Sequence, residues 1–437
     1  MKEYVLNDLD DEQIGRLCKR PGMDFASVLD QVRPIIRAVR DDGDAAVKKF
    51  TRMYDGVETE PLFIEPDKIP VHLADEERHA LDTAMRNVQR FHMEQARGEL
   101  QVETMPGITC RRVMRPIENV GLYIPGGSAP LPSTAVMLGV PAAAAGCKTI
   151  IFATPPDKNG QVPPSIAYVA QKTGAAGILK AGGAQAVAAM AYGTESVPPA
   201  DKIFGPGNQY VTAAKMFLQN SDAMVSIDLP AGPSEVLVIA GGNADPDFIA
   251  ADLLSQAEHG ADSQVVLVTL PGFDLDQLRE SLKSQTRDLS RADIVRSALD
   301  HSFTVTAENI TDALAFSNKY APEHLILNLD NAESLIGSIR HAGSVFLGAC
   351  TPESLGDYAS GTNHTLPTYG YARMYSGVSL DSFQKSITFQ KATEAGLQTL
   401  GPVVEKLADM EGLDAHRQAV SVRLKKIRGR PDSETGK

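Results

Sequence analysis

The sequence predicts an α/β protein built from two doubly wound, Rossmann-like units with small helical modules at the N- and C-termini. From about residue 117, short β-branched strands alternate with Ala-rich helices, and the same alternation restarts at about residue 235. Repeated β-α order is typical of a parallel sheet that is covered by helices on both faces. The chain has 437 residues, which is long enough for two or three domains with substantial cores.

The first hundred residues are predicted to be helical. Within residues 28–54, Val32, Ile36 and Val39 recur at helical spacing with charged residues between them, which indicates one buried face. Gly43 interrupts this pattern and is interpreted as a junction between two helices.

The β-α elements follow in two runs. In the first run, strands are predicted at 120–124, 149–153, 177–180 and 202–204, with helices at 133–145, 164–172, 184–192 and 208–218. In the second run, strands are predicted at 235–240, 264–269, 303–306, 324–328 and 344–347, with helices at 249–258, 275–283, 310–317 and 333–339. A loop rich in Gly, Ser, Thr and Asn at 350–370 then leads into two further helices at 392–408 and 413–427.

Composition and charge exclude several classes of protein. Lys and Arg total 42 and Asp and Glu total 55, so the formal charge is −13, and an acidic surface repels the phosphate backbone of nucleic acids. The longest apolar stretch, 135–147, contains Gly and Pro and is too short to span a bilayer. The four cysteines are scattered without a C-x-x-C pair, which disfavours a thiolate zinc site and suits a reducing compartment. We therefore expect a cytoplasmic protein that binds neither nucleic acid nor membrane.

Three glycine-rich turns follow predicted strands. Residues 205–210 resemble a dinucleotide-binding G-x-G-x-x-G turn, but Tyr210 occupies the third glycine position and the motif is incomplete. Two more turns lie at 123–128 and 182–185. Such turns either expose backbone N–H groups to a phosphate at a helix start or only relieve crowding between strand and helix. Together they mark one rim of a sheet, where α/β proteins usually bind ligands.

Two pairs of residues suit acid–base or metal chemistry. Gln256 and His259 lie three residues apart near the end of a predicted helix and can face the same side, although any exposed helix end can carry such a pair. Glu323 and His324 stand at the entrance of an apolar strand. They are interpreted either as a catalytic pair or as a capping carboxylate beside a half-buried imidazole.

Two later segments add candidate ligands. The 350–370 loop carries Asp357 and His364 among small residues, and a long polar loop inside a compact domain is more often functional than decorative. His416 lies in the first turn of the last helix, beside an acidic residue that also suits an ordinary helix N-terminus. Two imidazoles, a carboxylate and an amide oxygen suit zinc or another first-row divalent ion. The residues of this set are Gln256, His259, Asp357 and His416. Spacing alone does not bring them together.

Five runs of sequence resemble those of the histidinol dehydrogenase family. They are VGLYIPGG (120–127), IFGPGN (203–208), AGPSEV (231–236), LSQAEHG (254–260) and GTNH (361–364). The resemblance extends from about residue 20 to the last helix, in the family's order. It implies an NAD- and zinc-dependent dehydrogenase with incomplete Rossmann-like domains and a homodimer whose active site is shared between subunits. It also implies the last two steps of histidine biosynthesis, in which L-histidinol is oxidised through L-histidinal to L-histidine with two NAD.

The resemblance assigns roles residue by residue. The zinc ligands match Gln256, His259, Asp357 and His416. The acid–base pair matches Glu323 and His324. Substrate contacts match Ser234, His364 and Glu411, in addition to the zinc ligands and His324. NAD contacts match Tyr123, Gln185 and Asn208. Glu411 and His416 are expected to reach the active site of the partner subunit.

We accordingly expect a division of the chain into domains. The parts are an N-terminal arm (1–21), a first Rossmann-like domain with the zinc and acid–base residues (22–121 and 236–378), a second on the NAD side (122–235), a C-terminal helical module (379–430) and a disordered tail (431–437).

Two alternatives stay open at this point. A related NAD-dependent enzyme would oxidise another primary alcohol, such as sulfopropanediol, but its sulfonate calls for a cation, whereas Glu411 suits the ammonium group of histidinol. A metal-bound scaffold without activity would have no need for an intact set of acid, base and ligands. The expected location is the cytoplasm, or a plastid if the source is plant-like and a transit peptide has been removed.

Overall fold

The computed structural model describes residues 1–20, 25–126, 130–230 and 232–429. The strands are β1 (Lys2–Val5), β2 (Phe63–Ile64), β3 (Leu100–Met105), β4 (Ile108–Pro116), β5 (Asn119–Tyr123), β6 (Thr149–Thr154), β7 (Gly177–Lys180), β8 (Lys202–Phe204), β9 (Ser226–Ile227), β10 (Glu235–Ala240), β11 (Gln264–Thr269), β12 (Phe303–Thr306), β13 (His324–Asn328), β14 (Ser344–Leu347) and β15 (Gln384–Ala392). The helices are α1 (Asp11–Leu17), α2 (Phe25–Asp55), α3 (Asp75–Met93), α4 (Pro132–Ala145), α5 (Pro164–Lys172), α6 (Gly183–Tyr192), α7 (Gln209–Gln219), α8 (Pro246–Ala257), α9 (Leu275–Arg287), α10 (Ala292–Asp300), α11 (Ile310–Tyr320), α12 (Glu353–Tyr358), α13 (Glu394–Met410) and α14 (Asp414–Arg428).

The second β-α run forms a six-stranded parallel sheet in the order β1-β12-β11-β10-β13-β14, called here the first sheet. Its central strands β10, β11 and β13 are buried along their whole length, as expected for a parallel sheet with helices on both faces. Leu237 and Leu325 belong to one apolar cluster, and Val238 and Ile326 belong to another, because alternate residues of a strand point to opposite faces. The five predicted strands of this run are confirmed. The predicted N-terminal arm adds β1, which pairs with β12 at the edge of the sheet.

The first β-α run forms the second sheet, in the order β2-β7-β6-β5-β8-β9. All of its neighbouring strands are parallel except β2, which runs antiparallel to β7. Strands β5, β6, β7 and β8 confirm the four predictions for this run to within one residue. The doubly wound α/β class predicted from the sequence is therefore present in both halves of the chain.

Helices α2 and α3 pack on the second sheet. Val32 of α2 belongs to the apolar cluster on one face of this sheet, and Val88 of α3 belongs to the cluster on the other face. The expected domain division groups residues 22–121 with 236–378, so the observed packing of these helices differs from it. The spacing of apolar residues shows which face of a helix is buried but carries no information about which sheet covers that face.

The chain divides into two compact units. The larger unit comprises Met1–Gln95 and Pro116–Phe383, and the smaller unit comprises Ala96–Arg115 and Gln384–Lys437, of which the structure describes residues up to 429. Within the smaller unit, β15, β4 and β3 form a three-stranded sheet, and α13 packs against α14. The purely helical predictions are therefore wrong at β15 within 379–430, and at β1 and β2 within the first hundred residues. Strand β15 is largely exposed. Its sequence therefore lacks the alternation of apolar and polar residues by which a half-buried strand is predicted.

Gly43 is confirmed as the junction within α2. Its φ is +53° and its ψ is −132°, and a Cβ at this position would lie 2.2 Å from a carboxylate oxygen of Glu195. The backbone conformation therefore favours glycine, whereas the exposed Glu195 side chain could move away from a Cβ.

The 350–370 segment differs from the predicted loop because it contains the short helix α12. The predicted tail at 431–437 lies outside the described residues, as do Gly127 and Ala231 of the family-like motifs. None of the described helices combines the length and the apolar character needed to cross a membrane.

Candidate active site

The larger unit contains a cavity of about 490 Å³ that is lined by loops of both parallel sheets. Pro125 and Asn208 come from loops that follow β5 and β8 of the second sheet. Ser234, Ser263 and His324 precede or begin β10, β11 and β13 of the first sheet. The cavity therefore lies at the carboxyl ends of one sheet and at the amino ends of the other. Only the first of these positions is the usual ligand-binding edge of an α/β sheet.

Most of the predicted site residues line this cavity. They are Asn208, Ser234, Gln256, His259, Glu323, His324, Asp357 and His364. Tyr123 and Gln185 are buried behind the lining, where the Tyr123 hydroxyl accepts a hydrogen bond of 3.0 Å from the Gly183 N–H and burial raises the pKa of Tyr123 to about 12. Glu411 and His416 belong to the smaller unit, and both are exposed there.

Glu323 and His324 are buried together at the start of β13. His324 Nδ1 lies 3.3 Å from the Glu235 carbonyl oxygen and 3.6 Å from Glu323 Oε2, and its Nε2 lies 3.1 Å from Asp357 Oδ1. Burial disfavours the imidazolium, but the Glu323 and Asp357 carboxylates outweigh burial and raise the pKa of His324 well above its ordinary value. Burial raises the pKa of Glu323, although the imidazole opposes this shift. A carboxyl and an imidazole with altered proton affinities suit acid–base catalysis.

Arg20 and Glu235 form a buried support behind Glu323 that the sequence analysis did not identify. The Arg20 guanidinium donates two hydrogen bonds, of 2.7 and 2.8 Å, to the two Glu235 carboxylate oxygens and lies 3.6 Å from the centre of the Tyr320 ring. The Glu235 N–H donates to Glu323 Oε2 at 2.9 Å, and the Glu323 N–H donates to Glu235 Oε1 at 3.3 Å. The available signal was the charge of Glu235 at the head of an otherwise apolar strand, since a buried carboxylate requires a partner.

Gln256, His259 and Asp357 present three oxygen and nitrogen donors to the cavity. Burial lowers the pKa of His259, which favours the neutral imidazole that binds metals. Burial opposes ionisation of Asp357, but the hydrogen bond with His324 and the charges of the surrounding imidazoles together outweigh burial and lower the pKa of Asp357. An amide oxygen, a neutral imidazole and a carboxylate suit a first-row divalent cation. Across the described ranges, no group of three or more His, Cys, Asp or Glu side chains is arranged to hold a metal, so such a site requires the amide or a further ligand.

His364 is held at the edge of the cavity by both of its ring nitrogens. Nδ1 lies 2.8 Å from the Asp357 carbonyl oxygen, and Nε2 lies 3.2 Å from the Thr134 hydroxyl. A carbonyl oxygen only accepts, so Nδ1 carries the proton and Nε2 accepts from Thr134. Burial lowers the pKa of His364, which agrees with a neutral ring.

The glycine turn after β8 is fixed from both sides. The φ of Gly205 is +122°, and a Cβ there would lie 2.1 Å from the Tyr123 carbonyl oxygen. The Gly205 N–H donates to Asp228 Oδ2 at 2.7 Å, while Lys215 Nζ donates to the Gly205 carbonyl oxygen at 2.8 Å and forms a buried ion pair with Asp228. Asn208 then caps α7, because its side-chain oxygen accepts from the first N–H groups of that helix. The turn is thus a rigid part of the cavity wall despite its incomplete glycine motif.

A family model described as histidinol dehydrogenase matches residues 18–424. The chain belongs to the histidinol dehydrogenase family. Membership confirms the resemblance drawn from the five sequence runs and classes the chain as an oxidoreductase.

Individual relatives of the histidinol dehydrogenase family agree over nearly the whole chain. "Histidinol dehydrogenase, chloroplastic" of Arabidopsis thaliana is 56% identical over 98% of this chain and 92% of its own length. The "Histidine biosynthesis trifunctional protein" of Saccharomyces cerevisiae is 52% identical over 97% of this chain and 54% of its own length. The crystal structure of histidinol dehydrogenase from Elizabethkingia anophelis is 48% identical, with a TM-score of 0.91, and the match covers 98% of this chain and 99% of that one. These matches confirm the α/β class, whereas the roles of single residues stay predictions.

Proposed function

We propose that this protein oxidises L-histidinol through L-histidinal to L-histidine, with reduction of two NAD, in histidine biosynthesis. The observation that carries the proposal is the placement of the Glu323–His324 pair in one cavity with Gln256, His259 and Asp357. This arrangement combines an acid–base pair with donors for a divalent cation, as the oxidation of a chelating amino alcohol requires. The names of the plant and fungal relatives agree with the substrate and the pathway.

The residues of the cavity fit a zinc ion. Gln256, His259 and Asp357 would hold it from this chain, and His416 of the partner subunit would complete the set. Zinc, when bound, would hold the amine and imidazole of the substrate and act as a template. The neutral state of His259 and the ionised state of Asp357, both favoured by the pKa shifts given above, are those that a metal ligand needs.

The chain's own residues move the protons. His324, in its neutral form, accepts the hydroxyl proton while the substrate carbon loses its hydride. After His324 has released this proton to solvent, Glu323 accepts a proton from the water that adds to the aldehyde. The neutral His324 then accepts a proton again in the second oxidation. Tyr123, Gln185 and Asn208 would hold NAD near the glycine turns, where the cofactor would supply the hydride acceptor for each oxidation. Retention of the aldehyde in the cavity limits loss of a reactive intermediate.

We further propose that the smaller unit supplies residues to the active site of a second subunit. Val403, Leu407 and Met410 recur along α13 with 52%, 54% and 72% of their surface exposed. An exposed apolar stripe of this kind is typical of a surface that another subunit covers. Glu411 and His416 follow the stripe directly and are themselves exposed, so subunit association would bring both residues to a partner.

The proposed reaction is tested by its stoichiometry. Oxidation of a primary alcohol to a carboxylate removes four electrons, so purified zinc-loaded protein should form two NADH for each L-histidinol consumed. A panel of other primary alcohols, including dihydroxypropanesulfonate, provides the control. Turnover of the sulfonate without turnover of histidinol would contradict the proposal, and one NADH per histidinol would contradict the second oxidation.

A further inference from the structure

Glu353 is a buried carboxyl group beside the candidate metal ligands that the proposed mechanism does not use. Only 1% of its surface is exposed, and it lies one helical turn before Asp357 on α12. Its Oε1 accepts a hydrogen bond of 2.8 Å from the Ser255 hydroxyl, the residue that precedes Gln256 on α8. A buried carboxyl group is costly unless it is hydrogen-bonded, so its retention in this position needs a reason.

The partner of Glu353 is the side-chain amide of Gln256. With the amide nitrogen turned toward Glu353, the nitrogen donates to Oε1 at 2.9 Å and to Oε2 at 3.1 Å, and the amide oxygen accepts from the Glu235 N–H at 3.2 Å. In the opposite orientation, the amide oxygen would face the two carboxyl oxygens and the nitrogen would face an N–H group. A carboxylate only accepts and a backbone N–H only donates, so these two neighbours specify one orientation of the amide.

We propose that Glu353 is a positioning residue that holds the Gln256 carboxamide with its oxygen, rather than its NH₂ group, available to the divalent cation. This inference rests on the proposed zinc site and deepens it. The carboxamide oxygen has two lone pairs. The Glu235 N–H, which is shared with Glu323 Oε2, approaches one of them and leaves the other for a metal. An amide that turned over would present N–H donors to a cation. Donation from the amide nitrogen to the Glu353 carboxyl oxygens also increases the electron density on the amide oxygen, as outer-shell partners of metal ligands commonly do.

The geometry also couples two ligands through one short helix. Glu353 and Asp357 are separated by one turn of α12, so the same element supplies one ligand and the group that orients another. Ser255 links Glu353 to the α8 backbone, because its hydroxyl lies 2.9 Å from the Asp252 carbonyl oxygen and 2.8 Å from Glu353 Oε1. The set of contacts therefore holds α8 and α12 at the metal site.

The test measures zinc affinity by competition with a chromophoric chelator, without substrate or NAD. Glu353→Leu removes both acceptors and should weaken zinc binding by about 10- to 100-fold. Glu353→Gln retains one acceptor oxygen and should lose about three- to tenfold, which gives the order wild type, Glu353→Gln, Glu353→Leu. The matched control is Asp252→Asn, another buried carboxyl on α8, which should change the affinity by less than about twofold because the described contacts of Gln256 do not include it. His259→Ala serves as the reference for loss of the site.

The outcomes separate this inference from the proposed function. Zinc affinity at the wild-type level in Glu353→Leu or Glu353→Gln, with loss in His259→Ala, would overturn the positioning role and leave the zinc site intact. Equal affinity of the wild type and His259→Ala would instead overturn the zinc site itself. If Glu353→Leu does not fold, as judged by circular dichroism, Glu353→Gln decides the matter. If Glu353 contributed only to stability, its variants would unfold at lower temperature but would not show the graded loss of zinc affinity.

Discussion

The surroundings of His324 make it the residue on which the proposed chemistry depends. One ring nitrogen faces the Glu235 carbonyl oxygen and Glu323, and the other faces Asp357. Among the described histidines that line the cavity, only His324 has a raised pKa, and two carboxylates, Glu323 and Asp357, cause the rise. The surrounding carboxylates therefore give the His324 ring a higher proton affinity than the rings of His259 and His364, which are kept neutral.

We predict that His324→Asn lowers the rate of histidinol oxidation by about 10²- to 10⁴-fold, because it removes the general base. Asn preserves a polar side chain of similar reach, so zinc content and folding should stay at the wild-type level. Steady-state kinetics and metal analysis of the same preparation check both parts. Undiminished oxidation in this variant would refute the assignment of the base.

The Arg20–Glu235 pair gives a stability prediction at the same scale. Arg20→Ala leaves the Glu235 carboxylate buried without its partner and should lower the free energy of unfolding by about 3–5 kcal/mol. The double variant Arg20→Met with Glu235→Gln should recover part of this loss, because no unpaired charge remains. As a control, Arg279→Ala breaks the exposed pair with Glu3 and should cost far less than Arg20→Ala in the same urea titration, because solvent screens this pair. Equal losses in the two single variants would contradict the argument.

Asp252 gives a pH-dependence with a definite sign. Burial raises its pKa to about 7 in the folded protein, above the ordinary value of 3.8. Unfolding therefore releases a proton between these two values, so the stability of the folded state falls as the pH rises and the loss is complete above about pH 7. The advantage of Asp252→Asn over the wild type in unfolding free energy should grow by roughly 2–3 kcal/mol between pH 5 and pH 8.

The control for this measurement is Asp330→Asn, since Asp330 is exposed. This variant makes the same Asp-to-Asn change at a position without burial. Denaturant unfolding at the two pH values checks both variants, and a pH-independent effect of Asp252→Asn would show that burial does not govern this carboxyl group.

At the scale of elements, the amino ends of the first sheet form half of the candidate site. Ser234 and His324 stand where β10 and β13 begin, and the two strands are paired so that Val236 lies beside His324. The second sheet contributes the loops that follow its strands, as is usual for α/β folds. The sequence shows that Glu323 and His324 stand at a strand entrance, but the meeting of opposite sheet edges depends on how the two sheets pack.

The turn between β8 and α7 gives a prediction about a single element. Gly205→Ala places a Cβ against the Tyr123 carbonyl oxygen in a backbone conformation that L-residues rarely adopt, and should cost at least about 2 kcal/mol of stability. Displacement of the turn should also weaken NAD binding by about tenfold or more, if the turn holds the cofactor as proposed. Gly15→Ala is the control, because no atom lies within 4 Å of the added Cβ and the residue lies inside α1. It should be neutral or should stabilise the protein by roughly 0.5–1 kcal/mol.

Thermal unfolding measures the stability of the two glycine variants. Their NAD affinity is measured by isothermal titration calorimetry, because the chain contains no tryptophan whose fluorescence could report binding. Retention of NAD affinity in Gly205→Ala, together with the expected loss of stability, would separate the turn's structural role from cofactor binding.

At the scale of the whole molecule, the proposed exchange of residues between subunits gives a complementation test. His324→Asn and His416→Ala should each be inactive alone, because each lacks a residue of every site. In a heterodimer of the two variants, one of the two sites would receive both wild-type residues. The isolated heterodimer should therefore have about one half of the wild-type activity.

The two variants, co-expressed with different affinity tags, are purified through both tags and assayed. A heterodimer with no more activity than its parents would contradict the shared site, and so would a strictly monomeric protein by light scattering. Mixed purified homodimers that do not exchange subunits provide the control.

The sequence by itself determined those features whose cause is local. Alternation of β-branched and Ala-rich segments predicted both parallel sheets, because the period and length of an apolar run reflect how each element is buried. Five short motifs identified the family, and adjacency in the sequence was enough to predict the pairing of Glu323 with His324. Gly43 was predicted as a junction because a lone glycine weakens a continuous helix at that point.

The tertiary structure decided the features that depend on contacts between distant segments. Arg20 reaches Glu235 across 215 positions, and Glu353 reaches Gln256 across the gap between α12 and α8. Neither contact produces a periodic pattern or a motif in the sequence. A buried charge requires a partner, but the sequence does not show which distant residue that partner is. The sequence therefore specified the chemical groups of the site, and the packing of the two sheets decided which of those groups share one cavity and which hidden residues hold them in place.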